Sequence, residues 1–327
     1  MGYRRRHGTL AAWLFVCITV AWFFVQGQEK QKGSAENEKL RWGLYQIYWG
    51  HQKWIKQVDR QTQDLGARPD WILFFRDLDR DRGFPQKAVQ LLQTRNIKPI
   101  ISLELWRWGE REAADRDTYL KLIIDGEFDA FFTRWARDAR KWGKTVYLRF
   151  GFEMNGDWFG WGQRPKQFKR AWRHVHALFA DVGADNVLWV FSPNVLWGDK
   201  DAATYLHAYY PGDRVVDWVA LDGYNFGDHY DQWHRWQSYQ QIFERSLRAL
   251  SQYEKPLMIA EIGCAEDKER KPVWIKNFLK HVATDKRIDG FIYYDHHDPQ
   301  KNEPDWRLDS DTRSHTIFRE WVQQNAN

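Results

Sequence analysis

Hydrophobic and polar positions divide the chain into two regimes. Arg4, Arg5 and Arg6 are followed by residues 7–28, which contain no Asp, Glu, Lys or Arg. The apolar core of that stretch, residues 9–25, is longer than most signal-peptide cores and near the lower limit of a membrane span. Residues 1–28 therefore read as a secretory signal peptide or an uncleaved anchor, and both readings stay open. The arginines belong on the cytoplasmic side and the rest of the chain outside. Residues 29–40, "EKQKGSAENEKL", are polar and read as a linker.

From Trp42 onward, short apolar or β-branched runs alternate with longer stretches of helical period. The strand candidates are 42–49, 70–77, 98–105, 145–153, 187–193, 216–224, 255–263 and 289–297. Helical period marks 84–95, 118–142, 166–181, 238–253, 272–284 and 314–325. Eight strands with helices between them predict a (β/α)8 TIM barrel over residues 41–327. A doubly wound open sheet would usually carry a glycine-rich phosphate fingerprint after its first strand, and "IYWGHQKW" has none.

Composition changes this picture in two places. The formal charge of +5 includes Arg4–Arg6; the rest of the chain carries 46 basic against 44 acidic residues, with no concentrated basic stripe. Nucleic acid is thereby excluded as a partner. Aromatic residues make up 17% of the chain, including 21 Trp. Tryptophan in loops offers flat apolar surface of the kind that stacks on sugar rings, or it packs the loops themselves. Cys264 stands alone beyond the N-terminal segment, so no internal disulfide framework exists.

In a barrel of this kind, chemistry sits at the C-terminal ends of strands. Strand four, "TVYLRFGFE", alternates so that Tyr147, Arg149, Gly151 and Glu153 share one face. The other face is apolar and belongs against the helices. By itself Arg149 with Glu153 could be a buried ion pair. Strand seven, "KPLMIAEIG", also ends in an acid, Glu261, which alternation groups with Leu257 and Ile259. Two carboxyls converging across one barrel mouth suit glycoside hydrolysis, which needs one group protonated and one ionised. Arg149 is a natural partner for the ionised one.

"LRFGFEMNGDWFGWG" (148–162), "YYPGDRVVDWVALDGYN" (209–225), "MIAEIG" (258–263) and "DWRLDS" (305–310) resemble glycoside hydrolase family 26. The resemblance runs from about Trp42 to the C-terminus with its motifs in order. It implies Glu153 as acid/base, Glu261 as nucleophile, and Tyr224 as a hydrogen-bond donor to the nucleophile. Trp158 and Trp161 fall where the family places sugar-contacting aromatics, with Asn155 in the same loop. Members of the family most often hydrolyse β-1,4-mannan, and others cut mixed-linkage β-glucan or xylan. The resemblance thus implies a retaining endo-β-glycosidase, acting as a monomer on a β-linked polysaccharide without metal or organic cofactor, and the N-terminal segment adds that it is exported. It touches the membrane only through its N-terminal segment.

The chain departs from the family at Phe152, where a histidine usually precedes the acid/base. Alternation points Phe152 at the helices, but strand ends often twist or bulge. The departure raises a rival reading, a catalytically weakened carbohydrate-binding pseudo-glycosidase associated with exopolysaccharide handling. Trp106 and Trp197, just past strand ends, are candidate sugar platforms or loop packing. Asp222, on the face of Tyr224, reads as a brace for the barrel floor or loop, with a catalytic role as the alternative, and Glu104 reads as a subsite or structural residue. "YYDHHD" (293–298) with Asp305 does not make a metal site, because adjacent histidines on a strand point opposite ways.

Overall fold

The computed structural model describes residues 39–48, 50–79, 83–108, 118–198, 201–230 and 235–325. The expected signal or anchor segment, most of the linker and Trp49 lie outside the described residues. Among those described, no helix is long and apolar enough to cross a membrane.

Eight parallel strands close into a barrel: β1 Arg41–Tyr45, β2 Trp71–Arg76, β3 Lys98–Leu103, β4 Val146–Phe150, β5 Val187–Phe191, β6 Trp218–Asn225, β7 Leu257–Cys264 and β8 Gly290–Tyr293. Each pairs with its sequence neighbour, and β8 returns to β1 with Gly290 beside Arg41. This is the (β/α)8 TIM barrel that the alternation of periods predicts.

Several predicted elements change at their edges. The expected helix over 118–142 is two, Thr118–Ile124 and Asp129–Trp142. Gly126 has φ 88°, and the Glu127 amide reaches back to the Leu122 carbonyl at 3.0 Å, which ends the first helix. The helices His51–Leu65 and Ala202–His207 lie outside the predicted spans.

Side chains inside the barrel form layers. Trp71, Tyr147 and Trp218 meet edge to face with ring centroids 5.5–6.0 Å apart. Arg41 closes this floor, its guanidinium 5.3 Å from both indole rings. Leu73, Ile100, Val190, Ala220, Met258, Ala260 and Ile292 fill the space around them. The opposite face of each strand, with Ile72, Phe74, Leu148, Phe150, Val219 and Leu221, packs on the helices. Such burial is worth about 1.5–3 kcal/mol per large apolar side chain. Above the Arg41 floor the interior is therefore packed with apolar side chains, and the next polar layer begins one inward position above Tyr147.

Candidate active site

That polar layer is built around Arg149, fully buried and one inward position above Tyr147 on β4. Ser102 is its register partner on β3, and Ser192 follows β5. Two small residues leave room for the guanidinium and also bind it. Arg149 Nη1 donates to Ser102 Oγ at 2.7 Å, while Nε and Nη2 donate to Ser192 Oγ at 3.2 and 3.0 Å. The remaining donors reach two carboxylates: Nη1 meets Glu261 Oε1 at 2.6 Å, and Nη2 meets Asp222 Oδ2. A buried cation needs such neutralisation, since an unpaired charge at this depth would be costly.

Glu261 reaches this layer by a route that alternation does not give. Leu257 and Ile259 face the helices, and Met258 and Ala260 face the barrel axis. Along β6 and β7 the register passes from Leu221–Ile259 to Asp222–Glu261, skipping Ala260. This β-bulge turns Glu261 inward beside Ala260. The grouping of Glu261 with Leu257 and Ile259 is therefore corrected, although the side chain does arrive at the mouth. Tyr224, two residues beyond Asp222 on the inward face of β6, donates its hydroxyl to Glu261 Oε2 at 2.5 Å.

Glu153 also escapes regular alternation. Strand β4 stops at Phe150, and Gly151 and Glu153 take φ 56° and 51°. A Cβ at Gly151 would lie 2.7 Å from Leu105 Cδ1, so only glycine fits there. Glu153 has no such freedom and holds a left-handed backbone at a cost of order 1–3 kcal/mol. Its amide is tied to the Ser192 carbonyl at 2.7 Å. Its carboxyl accepts from Asn194 Nδ2 at 2.8 Å on Oε1 and from Trp158 Nε1 at 2.6 Å on Oε2. Burial, and next the charge of Glu261, push the Glu153 carboxyl up to about 7 against these donors.

Residues 117–284, about half of the chain, match the sequence model of glycosyl hydrolase family 26. This chain belongs to that family.

As a family 26 glycosyl hydrolase it has relatives with several specificities. Endoglucanase H of Acetivibrio thermocellus is 34% identical over 208 residues, 61% of this chain and 22% of the relative. A mannan endo-1,4-beta-mannosidase of Bacillus subtilis is 36% identical over 196 residues, 54% of this chain and 49% of the relative. The chain thus spans less than half the length of either. The GH26 beta-mannanase of Bacteroides ovatus superposes with a TM-score of 0.65 at 18% identity, covering 89% of this chain and 90% of that one. That likeness concerns the fold.

The remaining expected site residues of this family 26 hydrolase divide into exposed and buried sets. Trp158 and Trp197 stand open, 51% and 41% exposed, on the loops after β4 and β5. Trp161 is buried, stacks on Phe159 with centroids 4.4 Å apart, and donates Nε1 to the Phe152 carbonyl at 2.7 Å. It stiffens the turn that carries Glu153, and as an open sugar surface it is corrected. Trp106 is half-buried against Phe159 and Trp161. Asn155 is buried as well: its amide exchanges two hydrogen bonds, of 2.9 and 2.8 Å, with the backbone of Asn194. Phe152 lies over the Arg149 guanidinium, 4.9 Å from Cζ to ring centroid, and stacks on Phe75 at 5.2 Å. It therefore borders the polar layer.

Ser102, Ser192 and Asn194 carry site contacts that the sequence reading missed. Inward alternation on β3 and β5, applied to serines as well as to acids, would have found the first two. Asn194 lies one residue past the expected end of strand five. Glu104 accepts a hydrogen bond from the Trp108 indole on the loop after β3.

Proposed function

We propose that this hydrolase cuts a β-linked polysaccharide internally, with retention of anomeric configuration, through Glu153 as acid/base and Glu261 as nucleophile. The observation that carries the proposal is the contrast between the two carboxyls. Glu153 is held near pH 7 by burial and Glu261, whereas Glu261 accepts from the Arg149 cation and the Tyr224 hydroxyl. One group is equipped to arrive protonated, the other to accept hydrogen bonds as an anion.

In the first step Glu261 attacks the anomeric carbon and the glycosidic C–O bond breaks. Glu153 gives its proton to the departing oxygen. Both Glu153 oxygens already accept hydrogen bonds, so that proton occupies a free lone pair and is available to an incoming group. In the second step Glu153 takes a proton from water, the water oxygen displaces Glu261 from the anomeric carbon, and the starting carboxyls are restored. The Arg149 charge attracts the Glu261 carboxylate before attack and again as water displaces it, at an interior site where such attraction is only weakly screened.

For the substrate we favour β-1,4-mannan, with mixed-linkage β-glucan next and xylan after it; the relatives named for mannan and glucan support the first two. Trp158 and Trp197 are the open aromatic surfaces suited to sugar rings on the side of β4 and β5. Arg149, Phe152, Asn155, Trp161 and Trp106 support the site from beneath. The pseudo-glycosidase alternative gains nothing from Phe152, because the Phe ring leaves both carboxyls with their donors. We also propose that residues 1–28 export the barrel, as secreted or anchored protein, on the strength of Arg4–Arg6 before an uncharged run.

The test is Glu261→Gln assayed for reducing ends on mannan, lichenan and xylan. Turnover is expected to vanish on whichever polymer the wild type cuts, with binding of its oligosaccharides retained. Unchanged hydrolysis by that variant would contradict the assignment.

A further inference from the structure

Lys271 is fully buried in the first turn of the helix Arg270–Thr284. A cation there opposes the helix dipole, whose positive end is the N-terminus. Among the described residues Lys271 has no carboxylate within ion-pair distance, and burial lowers its pKa below the ordinary lysine value. A buried charge in so unfavourable a place needs a compensating set of contacts.

Those contacts all fall on one segment. Lys271 Nζ donates to the Arg307 carbonyl at 2.7 Å, to Ser310 Oγ at 2.9 Å and to the Asp305 carbonyl at 3.2 Å. An ammonium has three donors, and each has an acceptor. The two carbonyls flank Trp306, so the ammonium fixes the backbone on both sides of that residue. Asp295, two residues past the end of β8, assists by accepting the Leu308 amide at 2.7 Å.

Trp306 in turn packs on Tyr224, with ring centroids 5.0 Å apart. The two rings meet above Gly263, where a Cβ would lie 3.0 Å from an atom of each. Tyr224 is the residue that donates to Glu261. We propose that Lys271 is a positioning residue: by clamping the carbonyls around Trp306 it seats the indole against Tyr224 and so aims the Tyr224 hydroxyl at Glu261. The inference rests on the nucleophile assigned to Glu261 above.

The experiment is a double-mutant cycle of Lys271→Met and Trp306→Phe, assayed on the polysaccharide that the wild type hydrolyses. Hydrogen exchange over residues 305–310 is followed in parallel. Lys271→Met is expected to raise exchange at Leu308 and Ser310. It should lower kcat about 10-fold or more with KM little changed, as a misaimed site group does. In the cycle the two losses are expected to be strongly non-additive, since both act through one contact. Val322→Ala, a core substitution in the C-terminal helix, controls for simple destabilisation and leaves kcat unchanged. If Lys271→Met does not fold, Ser310→Ala takes its place in the cycle, with a smaller loss of the same kind. Additive losses, or faster exchange without any change in kcat, would overturn the inference. Glu261→Gln, run alongside, separates this failure from failure of the nucleophile assignment.

Discussion

The Arg149 guanidinium meets the Glu261 carboxylate at 2.6 Å, with the two side chains 0% and 5% exposed. The same cation also meets Asp222, whose carboxyl is pushed well above the ordinary range by burial, so one guanidinium holds two buried acids. Removing it leaves both uncompensated. Arg149→Met is expected to cost about 3–5 kcal/mol of stability. Arg149→Lys keeps the charge but loses the fork that reaches both carboxylates and both serines, and is expected to restore stability only in part. Urea denaturation measures both; a loss below about 1 kcal/mol for the methionine variant would place the pair among the exposed, weak class.

Glu153 gives a pH prediction with a definite sign. Its folded pKa of about 7 lies above the ordinary value of 4.5. Stability from this group is fully present below 4.5 and is lost as pH rises through 7, because the folded state keeps a proton that the unfolded chain has released. The kcat/KM profile is expected to fall over the same alkaline limb as the acid deprotonates. The Trp158 and Asn194 donors favour the ionised carboxylate. Trp158→Phe therefore raises the Glu153 pKa further and moves that limb to higher pH. A limb that stays put or moves down would contradict the role given to the indole N–H.

Asn155 separates two ways of serving the site. The resemblance places it among residues near the sugar; the structure turns its amide onto the backbone of Asn194. Asn155→Ala frees Asn194, whose side chain then leaves Glu153. The expected result is a fall in kcat with KM nearly unchanged. A raised KM at constant kcat would mean direct contact with substrate.

Phe152→His tests the departure from the family. The Phe ring stacks on Phe75 and covers Arg149. An imidazole there would face that cation and stay neutral, because a like charge disfavours its protonated form. The variant is expected to keep the pH limits of the wild type while losing about 1–3 kcal/mol of stability, the cost of a polar group without a sure partner. Thermal melts and a kcat/KM profile check both halves, and a new ionisation in the profile would contradict the first.

The barrel was legible because strand and helix periods differ and alternate along the whole described chain. Glu153 and Glu261 were legible as acids at the barrel mouth, but the local backbone that turns them there was not. Alternation fails where the strand stops at Phe150 and where Ala260 forms a bulge, and both events depend on pairing with a neighbouring strand. Trp161 was misread for a related reason: an indole past a strand end can face the cleft or fold back onto a carbonyl, and only packing decides. Ser102, Ser192 and Asn194 escaped because small polar residues carry no chemical signature until the guanidinium or carboxyl they serve is in place. Lys271 sits on an ordinary amphipathic helix and looks like a surface lysine in sequence.

The central claim is double displacement through Glu153 and Glu261. The most direct measurement is the anomeric configuration of the first-formed reducing sugar, followed by proton NMR before mutarotation, on the polymer that the wild type hydrolyses. The account predicts that the β-anomer appears first and that the α-anomer grows in only as mutarotation proceeds. An α-anomer formed first would mean inversion, with the two carboxyls flanking a water and no covalent intermediate on Glu261.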